Sequence, residues 1–414
     1  MSVTTAANPK VTVDVLSALR PILSIAPENR TPEQAQVLTA HYRSVAVELE
    51  PARQKTAELQ GRIRALKIPS TLVVVENSKV QQPLAYVRVR GAFESKGDWV
   101  EADIPSFLGS LPADGVKNRV SLARWLVSPE NPLTARVRMN QIWETIFGHG
   151  IVETTEDFGT QGTPPSHLEL LDWLATEFVA QGWDQKAMQR LIVTSSTYRQ
   201  SSVATPDILE KDPNNVLLAR GPRFRVEAEM VRDFALAASG LLSSKMFGAP
   251  VMPYQPEGLS NQWVLSPGED RYRRALYISV RRSTRYPSLT VFDAPSRELC
   301  TARRNRSDSP LQALSTLNDP AFFEAAQAMA RRILKEGGAD TSSRASYGFR
   351  LVTARRPGAQ EMDTLLSGLD KSRQYFERNL KEAEGVSGKP NAELAAWTML
   401  SNALLNLDEA LTKW

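Results

Sequence analysis

Residues 166–182 read SHLELLDWLATEFVAQG. Leu170, Leu171, Leu174 and Phe178 recur at helical spacing, which lays one apolar stripe along a helix. Ser166, with Glu169 three residues later, has the form of a capping box opening that helix, and Gly182 closes it. The same grammar extends in both directions. Upstream, Arg119–Ser128 is predicted helical up to Pro129, and Asn131-Pro132 opens a helix that runs to Phe147 and stops at Gly148. Downstream, Asp184 caps another helix, Val226–Leu242 is amphipathic, and Asp319-Pro320 starts a long helix ending at Gly337-Gly338. Two or three more helices complete the chain, the last over Leu394–Leu411. Near the start, Thr31-Pro32-Glu33 opens a helix over residues 32–67, which Pro51 should kink or split. Strand signal is confined chiefly to residues 70–105 and 274–292. The first holds TLVVV (71–75) and the alternating LAYVRVR (84–90); the second holds Ala275–Val280.

The predicted fold is therefore mainly α: a compact multi-helix domain with a small β element and a C-terminal helical subdomain. The expected boundaries are an N-terminal helical arm over 1–67, a small β-containing region over 68–112, a main helical domain over 113–338 and the C-terminal subdomain over 339–414.

Composition excludes much. The chain has 414 residues, 42% hydrophobic and 23% charged, which is ordinary for a globular protein with a real apolar core. A formal charge of +4 is too even for a chain that binds nucleic acid along its whole length. One cysteine, Cys300, excludes an intramolecular disulfide, a CxxC zinc site and a CxxCH haem attachment. The three histidines, His41, His149 and His167, leave little room for a metal cage, so no metal and no cofactor is expected. No run of 18 apolar residues is present. The opening MSVTTAANPKVTVDV has no signal-peptide pattern. GxxxxGK[ST], GxGxxG, HExxH and GxSxG are all absent.

Four features remain as candidates. Residues 271–306 carry ten arginines, no lysine and only Asp293 and Glu298 as acids. Guanidinium forks bind sulfate, carboxylate and phosphate in bidentate fashion. One reading is an electropositive concavity built from Arg281 or Arg282 with Arg303, Arg304 and Arg306. The other is a set of internal pairs to acids such as Asp157, Glu227 and Asp233. The segment 149–172, HGIVETTEDFGTQGTPPSHLELLD, gathers His149 and His167 with several acids. His167, Asp157 and Asp172 are the candidate catalytic residues there, expected close together at the mouth of the helix begun by Ser166; an ordinary ordered loop is the alternative. Cys300 is either a small buried hydrophobe or a thiol activated by nearby arginines. Trp125, Trp143, Phe147, Trp173, Phe178 and Trp183 have the spacing of core residues, whereas Trp99 and Trp263 lie in loop-like stretches suited to sugar stacking.

Several motifs carry a resemblance. Asn118–Val127 (NRVSLARWLV), Asn131–Arg136 (NPLTAR), Phe147–Gly150 (FGHG), Asp157–Gly162 (DFGTQG) and His167–Trp173 (HLELLDW) resemble the planctomycete-type domain of unknown function found downstream of planctomycete cytochrome c domains. So do Thr197–Ser202 (TYRQSS), Phe292–Pro295 (FDAP), Pro310–Leu314 (PLQAL) and Leu317–Pro320 (LNDP). The likeness runs from about residue 70 onward. The family commonly has Asn-Arg where this chain has Asn140-Gln141, and Thr-Asn-Thr where it has Ser307-Asp308-Ser309. The resemblance implies an exported setting, periplasmic or extracytoplasmic, with the cytoplasm as the alternative because no signal peptide is visible. It also implies a haem-containing partner chain or domain. The expected function is a non-catalytic binding or scaffold module that recognises an anionic polysaccharide or a partner protein. The alternative is a glycan-acting hydrolase or lyase using His167, Asp157 and Asp172.

Overall fold

The computed structural model describes residues 19–66, 70–75, 85–111, 117–255, 263–282 and 284–413. Leu84, Pro256 and residues 67–69, where the first long helix is expected to end, lie outside them. The chain divides into two compact units, Met1–Ala85 and Tyr86–Trp414.

The first unit contains α1 (Arg20–Leu23), α2 (Pro32–Val45) and α3 (Glu50–Ala65). Thr31 caps α2: its hydroxyl accepts from the Gln34 amide, and the Gln34 side chain accepts from the Thr31 amide. Pro51 falls in the first turn of α3, where a missing N–H costs nothing, so the expected single helix is two. Arg53 fixes the bend by donating to the carbonyls of Arg43 and Ala46 at 3.0 and 2.8 Å. Residues 71–75 form no strand, and Leu72 to Val75 are exposed.

At the start of the second unit, β1 (Ala85–Arg88), whose first residue is the last of the first unit, pairs with β2 (Lys96–Val100) in a two-stranded sheet. A first helical group follows: α4 (Arg119–Leu126), α5 (Thr134–Phe147), α6 (Leu168–Ala180), α7 (Gln185–Thr194) and α8 (Pro206–Lys211). The Asn131 side chain accepts from the Leu133 and Thr134 amides at 3.0 Å and so sets the start of α5; Gly148, at φ +90°, ends it. Met139, Trp143, Leu171, Leu174, Phe178 and Met188 form the core of this group.

After β3 (Phe224–Arg225) come α9 (Ala228–Ser239), α10 (Pro287–Val291), α11 (Pro310–Asn318) and α12 (Pro320–Glu336). Then follow α13 (Thr341–Thr353), α14 (Ala359–Arg378), α15 (Leu380–Ser387), α16 (Ala392–Leu405) and α17 (Asp408–Leu411), and finally β4 (Thr412–Lys413). Asp319 caps α12 through the Ala321 amide at 2.9 Å. Phe322, Ala325, Ala326, Met329, Ala330 and Ile333 then make a buried stripe. Its alanines let α12 lie close against α9 and α16. A second core results, running from Ala228 to Leu411, so helices on both sides of position 338 share one apolar interior. Trp397 sits within it, fully buried, its indole N–H satisfied by Glu393 at 2.7 Å.

The structure corrects three expectations. Ala275–Val280 is not a strand: Ala275–Tyr277 is a 3-10 turn, and one parallel bridge joins Val251 to Ile278. The main chain here is held by side chains of α9, with Asp233 taking the Ala275 amide at 2.7 Å and Arg232 the Arg273 carbonyl at 2.8 Å. Ser166 does not cap α6, whose N-cap is His167 without a side-chain cap; Ser166 turns its amide and hydroxyl to the Ile151 carbonyl. Beyond residue 338 there are five helices among the described residues, not two or three. The sheet pairing β3–β4, Phe224 with Lys413 and Arg225 with Thr412, was not expected at all.

Candidate functional site: an arginine-walled cleft

A cleft of about 350 Å³ opens where α5 ends. Glu144, Gly148, His149 and Glu153 line one side, and Phe224, Arg225 and the loop Arg303–Asp308 the other. Local backbone explains the shape. A Cβ on Gly148 would sit 2.7 Å from the Phe224 ring, and one on Gly150 2.5 Å from the Val152 carbonyl. Both glycines let the chain turn tightly out of α5. Asn140, fully buried, holds the turn by bonding both the amide and the carbonyl of Val152, at 2.8 and 3.0 Å. Glu144 is buried at the cleft edge and accepts from the Thr155 hydroxyl at 2.9 Å.

The arginines differ in how fully they are engaged. Arg304 lies between two carboxylates, 3.0 Å from Glu227 and 2.7 Å from Glu229. Burial works against its charge, but the hydrogen bond to Glu229 and both acids outweigh it and hold the guanidinium above its ordinary pKa. Arg306 donates to the Gly148 carbonyl at 2.9 Å and lies over the Phe224 ring, 4.5 Å from its centroid. Arg225 bonds Asp308 at 2.8 Å and Asp408 at 3.3 Å. Arg303 is exposed, and its hydrogen bond is to the main-chain carbonyl of Glu153 at 3.3 Å. Among the described residues, Arg303 is thus the one guanidinium of this cleft without a carboxylate in ion-pair range.

Of the five arginines singled out in the sequence, Arg303, Arg304 and Arg306 meet in this cleft. Arg281 lines a separate, smaller cavity beside Tyr286 and Arg297, and Arg282 is exposed. Other arginines of 271–306 are paired with acids of the chain at partly exposed positions: Arg271 with Glu324 at 3.2 Å, and Arg285 with Glu298 at 3.5 Å. Arg273 is 2% exposed, and its partners are the carbonyls of Lys245, Phe247 and Ala249.

Among the described residues, no hydrogen bond joins His167, Asp157 and Asp172. Asp172 pairs with Arg136 at 2.6 Å, and that hydrogen bond holds its carboxyl below the usual range. Asp157 accepts from the Gly159 amide at 2.7 Å, and the His167 ring meets the Ser166 hydroxyl at 3.0 Å. Cys300 is exposed. Trp263 stacks on Tyr286 and donates to the Pro253 carbonyl, whereas Trp99 is 52% exposed on β2. No group of three or more metal-ligating side chains converges among the described residues, and no helix there is long and apolar enough to cross a membrane.

Residues 118–369, more than half of the chain, match PSD1, a protein of unknown function (DUF1553). The chain belongs to the PSD1 family. All the residues lining the cleft lie within the PSD1 segment, whereas Asp408 and β4, which brace it, lie beyond. No curated protein and no solved structure matches the chain. Sequence reasoning missed Arg225 and Glu229: Glu229 stands 75 residues before Arg304, and Arg225 stands 83 and 183 residues before its partners Asp308 and Asp408. Glu227, one of the acids the sequence offers as an arginine partner, takes Arg304 at 3.0 Å.

Proposed function

We propose that this chain is a non-catalytic binding module whose cleft takes the carboxylate or sulfate group of an anionic glycan. The observation that supports this is Arg303: it is exposed, it lines the cleft together with His149 and Glu153, and among the described residues no carboxylate is in ion-pair range of its fork. A fork that bonds one main-chain carbonyl and keeps its other N–H groups for a ligand is suited to one planar or tetrahedral anion, and the acids nearby suit the hydroxyls of a sugar. On the usual company of PSD1-like domains, the module belongs to an exported, cytochrome-linked system. The hydrolase or lyase alternative has less support, because His167, Asp157 and Asp172 are each engaged with different neighbours.

The test is calorimetric titration of the full chain with a sulfated, a carboxylated and a neutral glycan at low and at physiological salt. The anionic glycans should bind, more weakly as salt rises. Arg303→Ala should lower their affinity by about tenfold or more, the worth of one charge-assisted contact. Arg303→Lys should recover part of it. Absent binding, or affinity unchanged in Arg303→Ala, would remove the reading.

A further inference from the structure

Beside the cleft lies a small cavity of about 10 Å³. Arg225, Arg306 and Gln312 are all in its wall. Each has one buried polar atom without a partner among the described residues: Nε of Arg225, Nε of Arg306 and Oε1 of Gln312. The fork ends of both arginines are already committed, Arg225 to Asp308 and Asp408, Arg306 to the Gly148 carbonyl. It is the inner edge of each guanidinium that is left over. Gln312 is 1% exposed and spends its amide nitrogen on the Val291 carbonyl and the Ser307 hydroxyl, both at 3.1 Å. That fixes which way the amide points, since turning it over would set its oxygen against the Val291 carbonyl.

Two buried donors and one buried acceptor therefore share a space that admits a single water-sized group. Unpaired buried groups of this kind carry the full desolvation penalty, so a shared partner is required. An anion would satisfy the donors but would be repelled by the Gln312 oxygen and by the Asp293 carboxylate in the same wall. A cation would meet two guanidiniums. Only a neutral oxygen that both accepts and donates matches all three. We propose that the cavity binds one integral water molecule, accepting from Arg225 and Arg306 and donating to Gln312, and that this water fixes the two cleft guanidiniums.

The wild-type chain suffices for the test. A high-resolution crystal structure, with a bromide soak read by anomalous scattering, should show one water within hydrogen-bond distance of the three atoms and no bromide there. In solution, water ¹⁷O relaxation dispersion should detect one long-lived water that is lost in Gln312→Leu. A bromide peak in the cavity, or side chains that meet one another directly with no water between them, would overturn the proposal. So would an unchanged ¹⁷O dispersion in a folded Gln312→Leu chain.

Discussion

Arg306 donates to the carbonyl of Gly148 across 158 positions of sequence, at 2.9 Å. The contact ties the loop before α11 to the end of α5. It joins the core built on α5 and α6 to the one built on α12 and α16, and the cleft lies along that seam. Arg306→Ala removes this hydrogen bond and the cation–π contact with Phe224. It should destabilise the chain by about 2–3 kcal/mol, read by chemical denaturation. A loss below about 0.5 kcal/mol would mean the seam does not depend on Arg306.

The Gly148 side of the contact makes its own prediction. Its backbone stands at φ +90°, and a Cβ would press on the Phe224 ring. Gly148→Ala should cost roughly 1–3 kcal/mol from strain alone, with more from displacement of the ring. Shaving Phe224 to leucine in the same chain should return part of the loss, and a double-mutant cycle measures how much.

Neighbouring arginines should behave oppositely. Arg304→Ala removes the nearer cation from Glu227 and Glu229, both partly buried, leaving them Arg306 and Arg297 at 3.9 Å, and should destabilise by roughly 1–3 kcal/mol. Arg303→Ala, at an exposed position, should shift stability by no more than about 0.5 kcal/mol while weakening glycan binding. Equal losses of stability at the two positions would contradict the division between bracing and ligand-facing arginines.

Glu393 should make part of the stability pH-dependent. Hydrogen bonding to Arg373 holds its carboxyl below the ordinary value of 4.5, against the opposing effect of burial. A carboxyl lowered in the folded state stabilises fully above its unfolded value and loses that contribution as pH falls through the folded one. The gap in melting temperature between the wild type and Glu393→Gln should therefore be widest near neutral pH. It should narrow progressively below about pH 4.5. A gap constant from pH 7 to pH 3 would assign the effect of the substitution to packing around Trp397 instead.

Helices with local signals were legible in the sequence. Thr31, Asp184 and Asp319 cap where their side chains suggest, and Asn131 holds the turn just before α5, because such side chains act on amides two or three residues away. Ala275–Val280 misled because a run of strand-favouring residues describes what the side chains prefer, not which groups the main chain bonds. Here α9 side chains take the bonds a neighbouring strand would have taken. The density of arginine over 271–306 pointed to the wall of the cleft. It did not reveal the partners, and not every buried arginine is held by a carboxylate. Arg273, the most buried of them, rests on three main-chain carbonyls and the Tyr277 ring.

The pairing of β3 with β4 has a temporal consequence. Lys413 reaches back to the Ile146 carbonyl at 2.7 Å, and Asp408 braces Arg225 across 183 positions. On a ribosome, α5, α6 and α7 can collapse into their core while most of the later helices are still unmade. The wall carrying Arg225 cannot be locked until residues 408–413 have emerged. Closing so long a loop is slow relative to local helix formation. The cleft is thus a late product of biogenesis, and a nascent chain would expose Phe224 and the inner faces of its arginines to whatever meets it first.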